Sequence, residues 1–236
     1  MNKADLIESF KAGEVLSFDK PLGWTSFDVV NKVRSMMNYV LGIKKIKVGH
    51  AGTLDPLASG LLIVCTGKAT KTIDQYQGQE KEYSGTFFLG QTTPSFDLET
   101  EPDKEYDISH LTAEGILQAG EAMVGDHHQM PPMFSAKKVD GERAYEFARR
   151  GEEAILKTKL ISIQSFNITR LELPEVDFSI VCSKGTYIRS IARDFGLALN
   201  SGAYLKSLRR ERIGTHHVKQ AWDLQAFEAH LRTALE

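Results

Sequence analysis

Apolar positions along the chain follow two periods. A spacing of three or four residues is typical of a helix with one buried face, whereas alternation or a short apolar run is typical of a strand. Thr25-Ser26 and Asp28 have the spacing of a capping box at the start of the first predicted helix. Helical spacing predicts these inner faces: Val29, Val30, Val33, Met36 and Met37 after Ser26; Ile116, Leu117, Ala119 and Met123 after Thr112; Ile188, Ala192, Phe195 and Leu199 after the Lys184-Gly185 turn; and Leu224, Phe227 and Leu231 after Asp223.

Strand patterns lie next to one another rather than between helices. The apolar run 60–65 predicts a buried strand, Tyr83 to Leu89 predicts another, and residues 155–182 are β-rich. Neighbouring strand patterns favour hairpins over βαβ units, so the predicted fold class is α+β. Residues 129–151 have the pattern of an insertion, and we expect them to lie within a single domain over residues 1–236.

Composition places the chain among ordinary globular proteins. Its 236 residues are 42% apolar and 25% charged, and no apolar run approaches the length of a membrane span. The first residues carry acids at Asp5 and Glu8, where a signal peptide would be apolar. Cys65 and Cys182 lie far apart in apolar stretches, which argues against a disulfide framework. We therefore expect a soluble, cytoplasmic protein.

The charged residues are segregated along the chain. The net charge is −2, yet residues 29–54 contain five basic residues and no acid, and residues 184–212 contain seven basic residues against two acids. Six acids between Asp97 and Asp107 restore the balance. Such segregation builds either a positive face or ordinary solvated helix surfaces, and charge alone does not decide between them.

Three familiar motifs fail on their spacing. Gly67-Lys68-Ala69-Thr70 lacks the earlier glycine of a phosphate loop, since position 62 is leucine. The histidine pairs at 127–128 and 216–217 are adjacent and have no Cys-x-x-Cys partner, which disfavours a metal site. No serine has the Gly-x-Ser-x-Gly context of a hydrolase.

The most unusual segment is the glycine-rich stretch 49–60, GHAGTLDPLASG, which holds Asp55 directly before Pro56. Two interpretations of Asp55 are open from these residues alone. A carboxylate fixed on a loop between a basic segment and a buried strand is a candidate nucleophile or base. Asp-Pro is also a common turn, in which the side chain bonds its own backbone.

Residues 49–71, GHAGTLDPLASGLLIVCTGKATK, closely resemble the catalytic motif of the TruB family of tRNA pseudouridine synthases. The resemblance covers about residues 15–225. Four further segments resemble family motifs in the same order: Asp19–Ser26, DKPLGWTS; Lys81-Glu82-Tyr83 with Leu89-Gly90; Pro131–Ala136, PPMFSA; and Cys182–Arg189, CSKGTYIR, with Leu208-Arg209-Arg210.

The resemblance implies the pseudouridine synthase fold, a mixed, mostly antiparallel sheet flanked by helices with a central active-site cleft. It implies that Asp55 is the nucleophile in a reaction that breaks the N-glycosidic bond of a flipped-out uridine and rejoins the base through carbon 5. No outside group is transferred, so neither a cofactor nor a metal is expected. Arg189 is implied to pair with the catalytic aspartate; from the residues alone, a salt bridge with Asp194 is the alternative.

The remaining implied site residues contact RNA. Tyr83 is implied to stack on the flipped base and to take part in proton transfer, and His50 to help hold the RNA loop open. Tyr187 and Leu208 are implied to line the uracil pocket. Without the resemblance, these residues would be assigned to the core or to loop packing. Four basic residues are candidate phosphate contacts: Lys20, Lys137, Arg209 and Arg210.

The family's usual substrate is the uridine at tRNA position 55 in the T-arm, so tRNA is the expected partner, bound by a monomer with no obligatory protein partner. Only 24 residues follow Arg212, too few for the C-terminal PUA-type module of many bacterial members, and guide-RNA particles are disfavoured for the same reason. Ser95 stands where threonine is common and position 100 is not glycine, so the loop after Gly90 departs from the family pattern. The alternative function is an RNA-binding or tRNA-folding protein whose catalysis is dispensable.

Overall fold

A computed structural model describes residues 2–135, 137–139, 141–152 and 155–233. Ala136 and Asp140 of the predicted insertion lie outside the described residues, as do Met1, residues 153–154 and residues 234–236 of the predicted domain. The helices are α1 (Lys3–Ala12), α2 (Ser26–Leu41), α3 (Ile73–Gln77), α4 (Ala113–Ala122), α5 (Ala144–Arg149), α6 (Ile188–Ala198) and α7 (Leu224–Thr233), with 3-10 helices at Gly67–Thr72 and Val218–Gln220. The strands are β1 (Val15–Lys20), β2 (Val48–His50), β3 (Ala58–Thr66), β4 (Lys81–Leu89), β5 (Gln91–Thr92), β6 (Lys104–Glu105), β7 (Gly125–Gln129), β8 (Lys138–Val139), β9 (Glu142–Arg143), β10 (Lys159–Glu172), β11 (Glu175–Cys182), β12 (Ala203–Ile213) and β13 (His216–His217).

The chain forms two compact units, one of residues 1–82 with 209–236 and the other of residues 83–208. The predicted single catalytic domain over residues 1–236 stays a prediction. Strands pair antiparallel in both units, and helices accompany them, so the α+β class with a mostly antiparallel sheet is confirmed. The central cleft stays a prediction.

In the first unit, the strand order is β1-β3-β12, with β2 paired to β3 and β13 to β12. Helices α1, α2 and α7 bury their apolar faces against β1 and β3, around Met37, Phe18 and Phe227. Burying one such side chain contributes about 1.5–3 kcal/mol, which holds the strands that frame the glycine-rich segment. The end of β1 lies beside the start of β3, where Lys20 is opposite Gly60.

In the second unit, the strand order is β12-β4-β11-β10-β7, and β10 with β11 forms a long hairpin. Four phenylalanine rings, one from β4, two from the β10–β11 hairpin and one from α6, fill the core, and the rings of Phe87 and Phe178 stack with centroids 4.1 Å apart. This core fixes β4 and α6, which carry the predicted site residues Tyr83 and Arg189, and Tyr187 directly precedes α6.

Most predicted buried faces are confirmed. The predicted inner faces of α2 and α6 are buried, and Val176, Phe178, Ile180 and Cys182 alternate with less buried residues along β11. The Thr25–Asp28 capping box is formed, and the Asp223 carboxylate accepts the backbone N–H groups of Gln225 and Ala226. The placement of Leu117 on an inner face is wrong: Ile116 and Gly120, four residues apart, form the buried face of α4, and Leu117 is turned away from it, 47% exposed.

Among the described residues, no helix is long and apolar enough to span a membrane.

Candidate active site

Asp55 lies half-buried in the loop between β2 and β3, and the backbone around it is bonded on several sides. The N–H of Ala58 donates to the Asp55 carbonyl at 3.0 Å, and the N–H of Gly23 donates to the Pro56 carbonyl at 2.8 Å. The Oγ of Ser26 accepts the N–H of Leu54 at 2.8 Å and donates to the carbonyl of the same residue at 3.1 Å. The carboxylate is therefore carried by a loop whose backbone has little freedom.

Arg210, on β12, holds the loop of Asp55 through its guanidinium. Its guanidinium is buried and donates to the carbonyls of Leu61 at 2.7 Å, Gly52 at 3.2 Å and Thr53 at 3.3 Å. The prediction that Arg210 contacts phosphate is wrong, because its side chain is 1% exposed and its donors face backbone oxygens. A buried arginine that bonds backbone carbonyls organises the loop instead.

Lys20 also departs from its prediction as a phosphate contact. Its side chain has no exposed surface, and its ammonium donates to the carbonyls of Pro21 at 3.0 Å and Trp24 at 2.5 Å. Burial lowers the pKa of Lys20 to about 8, with the negative charge of Asp55 acting in the opposite direction. Lys20 therefore supports the loop at the end of β1, and a group with no exposed surface does not reach a phosphate.

His50 ends β2, opposite Val64 of β3, and is half-buried. Its Nδ1 atom is buried and has no hydrogen-bond partner in the described part of the chain. Burial lowers the pKa of His50, an interaction with the Gly52 backbone partly offsets this, and the charge of Arg210 lowers the pKa further. The imidazole is therefore neutral at neutral pH and is suited to packing against a base rather than to binding a phosphate.

Arg209 is partly exposed and forms a two-pronged ion pair with Asp19, at 2.6 and 3.0 Å. Its guanidinium also lies 3.3 Å from the Oγ of Ser59. The pKa of Arg209 is raised by the hydrogen bond to Asp19. A phosphate contact by its exposed part stays a prediction.

The second unit carries the other predicted residues. Tyr83 lies on β4 and is 8% exposed, and Leu208 lies half-buried on β12, the neighbouring strand. Tyr187 caps the start of α6, where the side chain of Gln129 accepts its N–H at 2.8 Å and donates to its carbonyl at 3.1 Å. Tyr187 and Arg189 are thus held at the same helix start.

Arg189 is buried on α6 beside a carboxylate that the sequence did not identify. Its Nε lies 3.5 Å from Oδ2 of the equally buried Asp97, and its Nη1 donates to the Ser95 carbonyl at 3.4 Å. The alternative of a salt bridge on an exposed helix, for instance with Asp194, is wrong, because Arg189 is buried beside Asp97, and Asp194 pairs with its neighbour Arg193 at 2.7 Å. Asp97 was missed because it opens a run of acids that suggests a solvated loop.

The loop that holds Asp97 is closed by its own polar side chains. The hydroxyls of Thr93 and Ser95 donate to the Asp97 carbonyl at 2.7 and 3.1 Å, and Phe96, between Ser95 and Asp97, has φ +63°. Thr100 accepts the N–H of Ser95 through its Oγ1 at 3.1 Å. The two departures from the family pattern, at positions 95 and 100, therefore bond to each other.

Lys137, in the segment between β7 and β8, donates to the carbonyl of Lys157 at 2.9 Å. Its phosphate contact stays a prediction. Among the described residues, no group of three histidine, cysteine, aspartate or glutamate side chains could hold a metal ion.

Known proteins resemble this chain in sequence. Residues 39–188 match the family described as TruB family pseudouridylate synthase (N terminal domain). A protein from Phocaeicola vulgatus named tRNA pseudouridine synthase B is 54% identical over 219 residues, which is 93% of each chain. One of the same name from Flavobacterium johnsoniae is 52% identical over 226 residues, which is 95% of this chain and 99% of that protein.

Solved structures resemble it in fold. A chain in the crystal structure of a Cbf5-Nop10-Gar1 complex has a TM-score of 0.74 and 27% identity, over 98% of this chain and 58% of that one. A chain in the archaeal box H/ACA sRNP Nop10-Cbf5 complex has a TM-score of 0.70 at 23% identity, which shows the fold alone. The present chain thus spans less than three fifths of those longer chains.

Proposed function

The chain belongs to the TruB family of pseudouridylate synthases, and from this premise we propose that it converts the T-loop uridine at tRNA position 55 to pseudouridine with Asp55 as nucleophile. Membership of the family makes it an isomerase that acts on uridine in tRNA. The choice of the T-arm and the roles of individual residues are the proposal. So are a monomeric state, a cytoplasmic location and closure of residues 129–151 over the RNA.

The observation that supports Asp55 most strongly is the construction of its loop. Ser26 and Arg210 bond the backbone at Gly52, Thr53 and Leu54, and a nucleophile needs such fixed placement before the substrate arrives. A turn whose aspartate only caps its own backbone needs neither a buried arginine nor a buried serine. This construction therefore favours the nucleophile over the turn.

In the proposed reaction, the bond between the ribose C1′ and N1 of uracil breaks, the base rotates, and a bond from C1′ to C5 forms. The proton at C5 leaves and N1 gains one, so the product is an isomer. Asp55 divides this exchange into two steps through a covalent intermediate. Tyr83 stacks on the flipped base, Tyr187 and Leu208 line its pocket, and His50 helps hold the RNA loop open. The pairing of Arg189 with Asp55 stays a prediction.

The test is release of tritium from C5 of uracil in an unmodified tRNA transcript, with purified protein and no added cofactor. We expect release from the normal transcript and none when the T-loop uridine is replaced. Asp55→Asn should lower the single-turnover rate at least about 1,000-fold, because an amide is a poor nucleophile, and should change tRNA affinity little.

Asp74→Asn, an exposed residue of α3, is the matched control and should react at the normal rate. If Asp55→Asn reacts as fast as this control, Asp55 is not the nucleophile. Tritium release that survives replacement of the T-loop uridine would instead move the substrate site. Tight tRNA binding without any release would favour the alternative, an RNA-binding or tRNA-folding protein.

A further inference from the structure

Three lysines of the second unit meet at the turn that precedes Tyr187: Lys137, Lys159 and Lys184. The Lys159 ammonium donates to the carbonyl of Lys184 at 3.1 Å. The Lys137 ammonium donates to the carbonyl of Lys157, two residues before Lys159, at 2.9 Å. We refer to these three side chains as the lysine cluster.

Gly185 makes room for this cluster. A Cβ at Gly185 would lie 2.0 Å from Nζ of Lys159, so the ammonium occupies the space that any other residue would fill. Gly185 also has φ +74°, a backbone conformation that favours glycine. The turn thus brings the Lys159 charge against its own backbone.

The charges of the cluster are not balanced. Burial, and then the positive charges of Lys184 and Lys137, lower the pKa of Lys159. Within the described ranges, no carboxylate forms an ion pair with any of the three lysines. Like charges gathered in this way repel one another, and a bound anion would remove that repulsion.

The cluster is also fixed close to a predicted substrate contact. The N–H of Ser183 donates to the Ser162 carbonyl at 2.8 Å, and the N–H of Ser162 donates to the Oγ of Ser183 at 2.9 Å, which locks the turn to β10. Gly185 precedes Tyr187 by two residues, so their Cα atoms are within about 7 Å. An anion held by the cluster would therefore lie about one nucleotide from a base that contacts Tyr187.

We propose that Lys137, Lys159 and Lys184 together bind one phosphodiester group of the substrate RNA next to the target uridine. Lys159 and Lys184 are the new members of this site: Lys184 lies in the CSKGTYIR segment but no role is implied for it there, and Lys159 lies outside the matching segments. The proposal rests on the proposed function for the identity of the RNA. The phosphate site is tested by binding, whereas the proposed reaction is tested by tritium release, so either proposal can be rejected without the other.

The first test measures the affinity of the full chain for an unmodified tRNA transcript between 50 and 200 mM salt, which is about the range where phosphate contacts dominate. We expect Lys184→Gln and Lys159→Gln each to weaken binding about three- to tenfold at low salt. Each should also make the slope of log K against log salt shallower by about 0.7–0.9, the value for one lost phosphate contact. Lys159→Arg should retain most of the affinity. Lys104→Gln, an exposed lysine of β6, is the matched control and should bind as the unsubstituted protein does.

The second test identifies the phosphate. A set of T-arm hairpins, each with one neutral methylphosphonate near the target uridine, is bound to the unsubstituted protein and to Lys184→Gln. We expect one position at which the modification weakens binding by the unsubstituted protein but not by Lys184→Gln. Among the described residues, the Lys184 ammonium donates no hydrogen bond, so this variant should fold normally even if Lys159→Gln loosens the turn; a thermal melt checks this.

Affinity and salt slope of Lys184→Gln equal to those of Lys104→Gln would overturn the proposal. So would a hairpin series in which every modification weakens both proteins equally. Lysine-dependent binding without tritium release would leave the phosphate site standing and reject the proposed reaction.

Discussion

At the scale of single residues, the conformation around Asp55 depends on side chains that have no chemistry to perform. Ser26 forms hydrogen bonds with the N–H and the carbonyl of Leu54, and Arg210 donates to the carbonyls of Gly52 and Thr53. Each hydrogen bond gives a partner to a buried polar group, which without a partner would destabilise the fold by the cost of its desolvation. Removing a supporting residue should therefore reduce both stability and activity.

Ser26→Ala tests this dependence. Both polar groups of Leu54 lose their partner, so we expect the free energy of unfolding to fall by about 1–3 kcal/mol and the rate of tritium release to fall more than tenfold. Chemical denaturation and single-turnover kinetics measure the two effects. Ser35→Ala, at an exposed position on the same helix, is the control and should change the free energy of unfolding by less than about 0.5 kcal/mol. Equal behaviour of the two variants would show that the loop holds its conformation without Ser26.

Arg189→Lys tests whether the several donor nitrogens of the guanidinium are needed. Arg189 meets Asp97 and the Ser95 carbonyl with different nitrogens, and a single ammonium does not reproduce that geometry. We expect turnover to fall at least tenfold and tRNA affinity to change less than threefold. Arg193→Lys on the same helix is the comparison, since its partner Asp194 is adjacent and partly exposed. Equal losses of turnover and affinity in Arg189→Lys would make Arg189 a phosphate contact instead.

The sequence predicts candidate residues for the chemistry but not the residues that surround them. Asp55, with its proline and its glycines, is conspicuous in the printed chain, whereas Asp97 is one acid among six in a short stretch. Arg210 and Lys20 look like surface cations, and only the packed structure shows that both are buried. Burial of a charge depends on contacts between distant segments, and the local pattern does not contain that information.

At the scale of elements, strand β3 is the frame of the first unit, and one glycine permits its contact with β12. Gly60 has φ +106°, and a Cβ there would lie 2.4 Å from the carbonyl oxygen of Arg210. Any side chain at this position would separate the strand that follows Asp55 from the strand that carries Arg210. The glycine is thus required by the approach of two backbones.

Gly60→Ala should therefore destabilise the fold by more than the strain of a positive φ alone. We expect it to lower the free energy of unfolding by at least about 3 kcal/mol, the sum of an unfavourable φ and an overlap with a backbone atom. Gly42→Ala is the matched control, because Gly42 also has a positive φ, +77°, but has open space around it. About 1 kcal/mol is expected there. Denaturation midpoints that agree for the two variants would contradict the close approach at Gly60.

Amphipathic elements were predicted well because the regular spacing of their apolar residues is visible in the sequence. The inner faces of α2 and α6 were identified correctly from helical spacing alone. Helix α1 was not predicted, since it buries only Leu6 and Phe10 and its charged residues hide the period. The strand order was also beyond prediction, because β12 pairs with strands more than a hundred residues earlier in the chain.

At the scale of the whole molecule, the distribution of charge matters more than its sum. The net charge is −2, yet basic residues are concentrated in two segments and acids in a third. Such segregation can build a positive face, and a positive face attracts phosphate even when the net charge is slightly negative.

tRNA affinity should accordingly depend steeply on salt. Each neutralised phosphate contributes about −0.7 to −0.9 to the slope of log K against log salt, and we expect a total slope of about −3 or steeper. Binding titrations at several salt concentrations measure it, with Asp55→Asn used so that no product forms. A slope near zero would mean that apolar and stacking contacts dominate the interface.

The first unit consists of residues 1–82 and 209–236, and the second unit is formed by the residues that lie between these two segments in the sequence. This arrangement has a consequence for biosynthesis. The loop of Asp55 leaves the ribosome early, but Arg210 and the core residues of α7 are made only after residues 83–208. At about 5–20 residues per second, that interval is roughly 6–25 s. During it, the nascent chain carries Asp55 without the arginine that holds its loop, so the loop reaches its final conformation only after Arg210 has been made.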